Sequence, residues 1–287
     1  MKELVSINGQ LVAPEAATVS IFDSGFMQGI GLFETMRAYN GRIFALESHL
    51  DRLAASAKAL GWSATIETDS IAEDVEALLK HAGDADARIR VTVTTGSLRL
   101  TERDDAPLTV VVTAGGGAKY PDECYTRGVT VTLSKCRQGP GDLLAGHKTT
   151  SYFARLAALR EAHVRGVFEA LWLTHDDHVA EGCISNVFIA KDEVLYTPPL
   201  ETPVLPGITR GRAIDAAVDE GILIREAPIT VEMLRDADEA FLTSSVMEIV
   251  PIVRLDRHAI GNEQPGDVTR AISEAYGNMI EDECADE

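Results

Sequence analysis

Hydrophobic and polar residues alternate with a period of two in several short stretches, which is typical of half-buried β-strands. In Ala87–Thr95, for example, Ile89 and Val93 alternate with arginines and threonines. Asn-Gly pairs at positions 8–9 and 40–41 predict tight hairpins between the strands on either side. Further strands are predicted at Leu108–Thr113, Val129–Leu133, Glu169–Leu173, Val187–Ala190, Val194–Thr197, Glu239–Thr243 and Ile249–Val253.

Apolar residues at helical spacing occupy the stretches between these strands. The spacing in Ser48–Leu60 predicts an amphipathic helix. The spacing in Ser151–Val164 predicts another, which carries Tyr152, Leu156 and Leu159 on one face. The remaining helices are predicted at Ser70–Lys80, Thr209–Ala217 and Val268–Met279. Strands and helices thus mix along the whole chain, which predicts an α/β or α+β protein.

A glycine triplet at 115–117 is the best candidate for a domain boundary, because it follows a predicted strand and is flexible. At about 150 residues per domain, a chain of 287 residues predicts two domains. The predicted organisation is an N-terminal α/β domain over 1–114, an interdomain loop over 115–123 and a C-terminal domain over 124–287.

The charge balance and the apolar runs exclude some classes of protein. The chain has 26 basic and 45 acidic residues and a net charge of −19, which disfavours binding to nucleic acid. No apolar run approaches the about 20 residues of a membrane helix, and the N-terminus lacks the apolar stretch of a signal peptide. The four scattered cysteines form no zinc-binding pattern, so we expect no metal and a cytoplasmic protein with reduced thiols.

Lys148 is the first candidate for chemistry. It lies in Gly-His-Lys-Thr-Thr-Ser-Tyr at 146–152, between a loop with glycine and proline and a predicted helix. A lysine in a partly desolvated pocket loses its proton more readily and can act as a nucleophile or base. The alternative is an ordinary surface lysine near the start of a helix.

Two stretches could hold an anion. The loop Val204–Arg210 leads into a predicted helix that Thr209 can cap, and free N–H groups at a helix start bind phosphate well. Ser244 and Ser245 offer hydroxyls just after a predicted strand. An ordinary helix entry and a plain strand-end turn are the alternatives.

Three charged residues are candidates by their positions. Glu181 stands beside a glycine and before a predicted strand, either presenting a carboxylate into a cleft or lying in an exposed turn. Arg52 lies on the first predicted helix and either holds a phosphate or pairs with Asp51 or Glu47. Arg90 lies on the polar side of its predicted strand, which either faces solvent or lines a site.

These candidates fall within seven motifs that occur in a fixed order. The motifs are Asp23-x-Gly25-x-x-x-Gly29, Leu32–Arg37, His49-Leu50-x-Arg52-Leu53, Lys148–Tyr152, Glu181-Gly182-x-x-Ser185–Phe188, Leu205–Arg210 and Ser244-Ser245-x-x-Glu248-Ile249-x-Pro251. In this order they resemble the class IV (fold type IV) pyridoxal-phosphate enzymes, over nearly the whole chain. That family contains branched-chain aminotransferases, D-amino-acid aminotransferases and aminodeoxychorismate lyases.

The resemblance implies a role for each matching residue. Lys148 would form a Schiff base with pyridoxal 5'-phosphate and, once released, would move a proton at the substrate α-carbon. Glu181 would face the ring nitrogen, where a carboxylate favours the protonated ring and so a better electron sink. Tyr152 would hydrogen-bond near the ring hydroxyl. The phosphate would be held by Arg52, Ile208, Thr209, Ser244 and Ser245.

The resemblance also implies the architecture of the molecule. It implies a small N-terminal α/β domain and a larger C-terminal domain that has a barrel-like sheet and binds the cofactor. In this family the site lies between the domains and a neighbouring subunit helps to close it, so a homodimer is implied. Arg90, and less directly Arg37 or Arg88, would attract the carboxylate of an amino-acid or keto-acid substrate.

The motifs differ in which family member they favour. Arg90, six residues before Gly96, and the Ser244-Ser245-x-x-Glu248-Ile249 motif resemble the branched-chain aminotransferases, which is the preferred interpretation. Thr95 stands where D-amino-acid enzymes typically have an arginine, and this weakens that alternative. Thr35 resembles a threonine that lyases place near the leaving group, so a 4-amino-4-deoxychorismate lyase that releases pyruvate and 4-aminobenzoate stays open. A non-catalytic binding protein with this fold also stays open.

Overall fold

The computed structural model describes residues 3–83, 86–97, 107–117, 120–139 and 141–285. Contacts within the chain group it into two compact units. The N-terminal unit comprises Met1–Ala118, His147–Ser151 and Ile280–Glu287, and the C-terminal unit comprises Lys119–Gly146 and Tyr152–Met279. Two short segments, one of which contains Lys148, therefore group with the N-terminal unit although the predicted boundaries assign them to the C-terminal domain.

The N-terminal unit is built on one antiparallel sheet of six strands. The strands are β1 (Leu4–Ile7), β2 (Gln10–Val12), β3 (Gly31–Tyr39), β4 (Arg42–Ile43), β5 (Ala87–Thr94) and β6 (Thr109–Gly116). Their order across the sheet is β2-β1-β6-β5-β3-β4. Both predicted hairpins are confirmed. Asn8, Gly9, Asn40 and Gly41 all have positive φ, as a two-residue turn of type I′ requires.

The glycine triplet is partly strand. Gly115 and Gly116 are the last residues of β6 and pair with Arg88 and Ala87 of β5. The backbone hydrogen bonds of the ladder do not depend on side chains, so the strand continues through the first two glycines. Residues 118 and 119 of the predicted interdomain loop lie outside the described residues.

Two helices cover one face of this sheet. The helices of the N-terminal unit are α1 (Ser24–Gln28), α2 (Leu46–Ala59) and α3 (Thr68–Ala82), and a 3₁₀ turn spans Pro14–Ala16. Leu50 and Leu53 of α2 and Val75 of α3 are buried in one apolar cluster with Met36 of β3. The two helices predicted at 48–60 and 70–80 are therefore confirmed, and their apolar sides face the core as the spacing indicates.

The C-terminal unit is built on a ten-stranded mixed sheet. Its strands are β7 (Val129–Gln138), β8 (Glu169–Thr174), β9 (His178–Gly182), β10 (Asn186–Lys191), β11 (Val194–Thr197), β12 (Leu223–Glu226), β13 (Ile229–Thr230), β14 (Glu239–Ser244), β15 (Glu248–Leu255) and β16 (His258–Ala259). The order is β12-β11-β10-β14-β15-β7-β8-β9-β13, with β16 paired to β15. The sheet curls into a half-barrel, as the resemblance implied.

Five helices accompany this sheet. They are α4 (Asp122–Thr126), α5 (Phe153–Val164), α6 (Ile208–Asp219), α7 (Val231–Arg235) and α8 (Asp267–Glu283), and the last residues of α8 group with the N-terminal unit. α5 packs on β7 and β8, and α6 packs on β14 and β12. No helix within the described ranges combines the length and apolarity needed to cross a bilayer.

The buried face of α5 differs from the predicted one. Leu159 packs inward as predicted, together with Ala158 and the fully buried Ala162. Leu156 is 52% exposed, and Phe153 is 85% exposed. Ala158 and Ala162 on the inner face let the helix lie close to the sheet, whereas Phe153 and Leu156 point outward.

Candidate active site

Lys148 is fixed beside the start of β3. The N–H of Phe33 donates to the carbonyl of Lys148 at 2.9 Å, and the N–H of Thr150 donates to the carbonyl of Gly31 at 2.8 Å. These bonds flank an antiparallel bridge between Leu32 and Thr149. The lysine is half-buried, and its Nζ lies 4.7 Å from the centre of the Phe33 ring. Lys148 is thus a strand-like, partly shielded residue and not a lysine at a helix start.

The three predicted substrate-binding residues share one face of the N-terminal sheet. Thr35 of β3 stands directly opposite Arg90 of β5, and Arg37 stands opposite Arg88. Alternation along β3 places Phe33, Thr35 and Arg37 on the face away from the helices, since Met36 points into the helix-covered core. The guanidinium of Arg90 lies 3.8 Å from the centre of the Phe33 ring. Two cationic groups, Arg90 and Lys148, therefore adjoin the same aromatic ring.

Arg52 is bound by a carboxylate that the sequence analysis did not consider. Its Nε donates to Oε1 of Glu34 at 2.8 Å and its Nη2 donates to Oε2 at 2.5 Å. The alternative in which Arg52 pairs with Asp51 or Glu47 is therefore wrong. Asp51 and Glu47 are exposed on the outer side of α2, whereas Glu34 points from β3 toward its inner side. This bidentate pair fixes the orientation of the Arg52 guanidinium.

His49 completes a buried cluster with Glu34 and Arg52. Its Nδ1 lies 2.7 Å from Oε2 of Glu34. Burial alone would raise the pKa of Glu34, but the charge of Arg52 and the bond to His49 outweigh it and lower that pKa to about 2. Burial lowers the pKa of His49, against the pull of Glu34, and the charges of Arg52 and Lys148 lower it further. The glutamate is therefore ionised and the histidine neutral at physiological pH.

Glu181 lies in the C-terminal unit, on strand β9, and is buried. The alternative of an exposed turn acid is therefore wrong. Its Oε1 accepts bonds from Nε2 of Gln138 at 3.0 Å and from Nη2 of Arg155 at 2.5 Å. Its Oε2 accepts a bond from the N–H of Leu205 at 2.9 Å. Three donors from β7, α5 and a loop thus hold one buried carboxylate.

A second buried carboxyl supports the turn after Glu181. Oε1 of Glu169 accepts the N–H of Ile184 at 2.7 Å, and Oε2 accepts the hydroxyl of Ser185 at 3.0 Å. A Cβ at Gly182 would lie 2.2 Å from Oγ of Ser185, so the turn requires glycine there. Burial raises the pKa of Glu169 to about 7, although both hydrogen bonds oppose the rise.

Tyr152 immediately precedes α5. Its hydroxyl donates to the carbonyl of Cys183 at 2.7 Å, and burial raises the pKa of this phenol above its usual value. The hydroxyl therefore stays protonated at physiological pH. The hydroxyl proton is donated to the carbonyl of Cys183, and a phenol oxygen that donates in this way is also a hydrogen-bond acceptor.

The residues predicted to bind phosphate on the C-terminal unit lie at the start of a helix and at the end of a strand. Ile208 and Thr209 are the first two residues of α6, and the helix is preceded by Gly207 without a side-chain cap. The prediction that Thr209 caps this helix is therefore wrong, since Thr209 is already inside the helix. A Cβ at Gly207 would lie 2.0 Å from Oδ1 of Asn186, which explains the glycine. The first N–H groups of α6 are not used by a cap.

Ser244 is the last residue of β14 and Ser245 is the first residue of the turn to β15, and both are half-buried. Oγ of Ser244 accepts the N–H of Met247 at 3.4 Å. Next to them the buried Oγ1 of Thr243 has no hydrogen-bond partner among the described residues. Three consecutive residues with hydroxyl groups, Thr243, Ser244 and Ser245, therefore lie at the end of β14.

The structure adds residues that the sequence analysis missed. Phe33 and Glu34 belong to the motif Leu32–Arg37, but no role was predicted for them. His49 belongs to the same motif as Arg52, and no role was predicted for it either. Glu34 falls on the buried side of an alternating strand, and this was a usable signal for a paired acid. Gln138 and Arg155 carried no such signal, because both bind Glu181 across long stretches of sequence.

Comparisons with known proteins give a consistent result. The family described as "Amino-transferase class IV" matches residues 31–255. The chain is 36% identical over 278 residues to a putative branched-chain-amino-acid aminotransferase of Methanocaldococcus jannaschii, with 96% of each chain covered. It is 32% identical over 283 residues to an aminodeoxychorismate lyase of Bacillus subtilis, covering 96% of this chain and 94% of the lyase. It is 31% identical over 283 residues to a D-alanine aminotransferase of Bacillus licheniformis, covering 98% of both.

Solved structures give the same picture. The branched-chain amino acid aminotransferase of Escherichia coli superposes with a TM-score of 0.91 at 28% identity, covering 100% of this chain and 97% of the other. The branched-chain amino acid aminotransferase of Thermoproteus uzoniensis, solved with norvaline, gives a TM-score of 0.88 at 32% identity, with coverage of 98% and 95%. A further branched-chain amino acid aminotransferase, solved with pyridoxamine 5'-phosphate, gives a TM-score of 0.90 at 29% identity, with coverage of 98% and 94%. The similarity extends over both units.

Proposed function

Because the chain belongs to the class IV aminotransferase family and is a pyridoxal-phosphate-dependent aminotransferase, we propose that it acts on branched-chain-like α-amino acids, passing their amino group to an α-keto acid. The observation that carries the choice of substrate is the full-length similarity to proteins named branched-chain aminotransferases, in sequence and in structure. The shared face of Thr35, Arg37 and Arg90 supports it, since an arginine beside an aromatic ring suits a carboxylate with an apolar side chain.

Lys148 is proposed as the residue that holds the cofactor through its Nζ. Bound pyridoxal phosphate supplies an electron sink for the charge left on the substrate α-carbon. As a free amine, Nζ would be placed to take the proton from the substrate α-carbon and deliver it to the aldehyde carbon of the cofactor, and to move a proton in the opposite direction in the second half of the reaction. Its place beside Phe33 and the buried cluster of Glu34, His49 and Arg52 excludes part of the surrounding water and limits its motion.

The C-terminal unit has groups that fit the rest of the cofactor. The buried carboxylate of Glu181 suits a basic ring nitrogen, and the oxygen of Tyr152 can accept from a hydroxyl on the ring. The uncapped start of α6 at Ile208 and Thr209 suits a phosphate, because its N–H groups and helix dipole favour an anion. The Thr243 hydroxyl, which is unpartnered among the described residues, lies beside Ser244 and Ser245 and offers a further donor. Arg52 is proposed as the cationic phosphate ligand, oriented by Glu34.

We also propose that two copies of the chain associate. Large apolar side chains are exposed in both units. Phe26 and Met27 of α1 are 73% and 57% exposed, and Phe153 of α5 is 85% exposed. Large apolar side chains left exposed, such as the adjacent Phe26 and Met27, are a feature of surfaces that other chains cover. Sedimentation at micromolar concentration should give twice the mass of one chain, and a stable monomer would refute the dimer.

We propose a cytoplasmic location for the protein. The four cysteines are free, which supports this location.

The role of Lys148 is tested by trapping. The purified enzyme should show a visible absorbance band that disappears on borohydride reduction, and digestion should then place the added mass on the peptide with Lys148. Lys148→Ala should lose both signals. Lys135→Ala is the matched control, because Lys135 is 89% exposed and pairs with Glu161 at the surface. An added mass on another residue, or on none, would exclude the proposed role.

The substrate is tested by supplying L-leucine, D-alanine and aminodeoxychorismate in parallel. We expect a keto acid from L-leucine, formed only when α-ketoglutarate is present as acceptor. The second candidate is the lyase. It is favoured by Thr35, which stands opposite Arg90, and by the similarity to a protein named aminodeoxychorismate lyase. Pyruvate released from aminodeoxychorismate without an acceptor would establish that candidate and reject the first. Turnover of D-alanine, with none of L-leucine or aminodeoxychorismate, would support the D-amino-acid alternative.

A further inference from the structure

The carboxylate of Glu181 forms an ion pair with the guanidinium of Arg155. Nη2 of Arg155 lies 2.5 Å from its Oε1, and Nη1 of Arg155 donates to the carbonyl of Gly182 at 3.0 Å. The side chain of Glu181 is 3% exposed and that of Arg155 is 19% exposed. The pair is therefore an ion pair with little contact with water, and its charges act strongly on whatever binds next to it.

Arg155 lies on the inner side of α5, where a helix normally carries apolar residues. Its neighbours on that side are Ala158 and Ala162, and its guanidinium lies 5.1 Å from the centre of the Trp172 ring. A buried charge is costly unless it is paired, and breaking such a pair costs more than the pair itself contributes. The position of Arg155 is thus explained by Glu181 and by the Gly182 carbonyl, and not by the packing of the helix.

We propose that Arg155 is a positioning residue that offsets the charge of Glu181 and so favours the unprotonated form of an aromatic nitrogen bound there. The inference rests on the proposed function, in which Glu181 faces the ring nitrogen of the cofactor. Arg155 does not touch the cofactor in this proposal. It acts through the carboxylate that it binds.

The site is shielded from water, so the net charge around the ring nitrogen determines whether the nitrogen holds a proton. Glu181 alone carries one negative charge, and a proton on the ring nitrogen makes that site neutral. With Arg155 present, the pair is already neutral, and a proton on the nitrogen leaves one positive charge uncompensated. Since an unpaired buried charge is disfavoured, Arg155 lowers the pKa of the nitrogen, and the proton returns to solvent. Glu181 still favours a protonated ring, and Arg155 removes part of that preference.

Three other titratable groups face this ion pair. Tyr152 and Cys183 are neutral at physiological pH, because burial raises both pKa values, that of Cys183 to about 11. Glu169 is different, since its pKa of about 7 means that it gains a negative charge near neutrality. Its effect on the nitrogen has the opposite sign to that of Arg155. The Glu169→Gln background removes this second titration from the measurement.

The experiment measures the proton on the ring nitrogen directly. The holoenzyme is prepared with pyridoxal phosphate labelled with ¹⁵N in the ring, and the ¹⁵N shift is followed against pH in the Glu169→Gln background. The variants are Arg155→Met, which keeps the length of the side chain without the charge, and Arg155→Lys, which keeps the charge. The control is Arg165→Met, because Arg165 pairs with Asp256 at 3.1 Å on the surface, where both are about half-exposed.

We expect Arg155→Met to raise the proton-binding constant of the ring nitrogen by about 10- to 1000-fold, the usual effect of one neighbouring charge. Arg155→Lys should stay within a few-fold of the parent, and Arg165→Met should not change it. If Arg155→Met does not fold, Arg155→Gln replaces it, since its amide can still donate to the Gly182 carbonyl. An unchanged or lowered constant in the neutral variant would overturn the inference, whereas failure to trap cofactor on Lys148 would overturn the proposed function.

Discussion

Glu34→Gln tests the buried cluster next to Lys148. The substitution keeps the shape of the side chain but leaves the Arg52 guanidinium without its counter-ion. Glu34 is 1% exposed and the Arg52 side chain 8%, so water cannot compensate. The pKa of Glu34 falls from 4.5 to about 2 in the folded protein. At 1.36 kcal/mol for each pKa unit, the cluster contributes about 3 kcal/mol, in line with the 3–5 kcal/mol cost of breaking a buried pair.

The sign of the pH dependence follows from the direction of the shift. A lowered pKa means that the contribution is fully present above pH 4.5 and is lost as the pH falls from 4.5 to about 2. We therefore expect the variant to be about 3 kcal/mol less stable than the wild type at pH 7. The difference should shrink steadily on acidification through this range.

The assay uses the two tryptophans of the chain, of which one lies in each unit. Trp62 packs against the N-terminal core, so in a Trp172→Phe background its fluorescence reports urea unfolding of the unit that contains Glu34. Glu76→Gln is the matched control, because Glu76 is exposed on α3 of the same unit, and its cost should stay below about 0.5 kcal/mol. A loss below about 1 kcal/mol for Glu34→Gln, or one that persists at low pH, would refute the reasoning.

Three further predictions concern other parts of the site. Burial raises the pKa of Glu169 from 4.5 to about 7, so folding takes up a proton there and wild-type stability falls by about 3 kcal/mol as the pH rises through that range. Glu169→Gln should flatten this slope in thermal unfolding between pH 5 and 8, and an unchanged slope would contradict it. Gly207→Ala should weaken cofactor binding at least tenfold in an equilibrium titration, because the new Cβ would collide with Asn186 at the start of α6. Arg90→Met should raise KM for the carboxylate substrates about 10- to 100-fold, as for a lost hydrogen bond to a charged group, and should change kcat less.

Local signals in the sequence predicted the elements that depend on local physics. The Asn-Gly turns were correct because both central residues need positive φ, which these two residue types tolerate. The helix at Leu46–Ala59 was correct because its apolar residues recur at helical spacing and contact the core. In both cases the residues that determine the structure are neighbours in the chain.

Two of the failures involve partners that are distant in sequence. β9 was missed because only two of its five residues, Val179 and Ala180, are plainly apolar. The carboxylate of Glu181 is bound by Arg155 and Gln138, which lie 26 and 43 residues away. Glu34 was not considered as a partner of Arg52 because it lies 18 residues away on a strand, while Asp51 and Glu47 are nearer in sequence. A buried charge pair cannot be assigned from one side of the pair alone.

The grouping of the chain has a consequence for biosynthesis. The N–H of Ala45, a residue with φ of 55°, is satisfied by Oε1 of Glu283 at 2.6 Å, and Nδ2 of Asn40 donates to the carbonyl of Cys284 at 3.3 Å. Glu283 and Cys284 thus complete the hydrogen bonding of the N-terminal unit, although they are synthesised after nearly all of the C-terminal unit. The first unit to be translated is therefore the one that must wait for the last residues. A nascent chain stalled before position 280 should expose it to proteases.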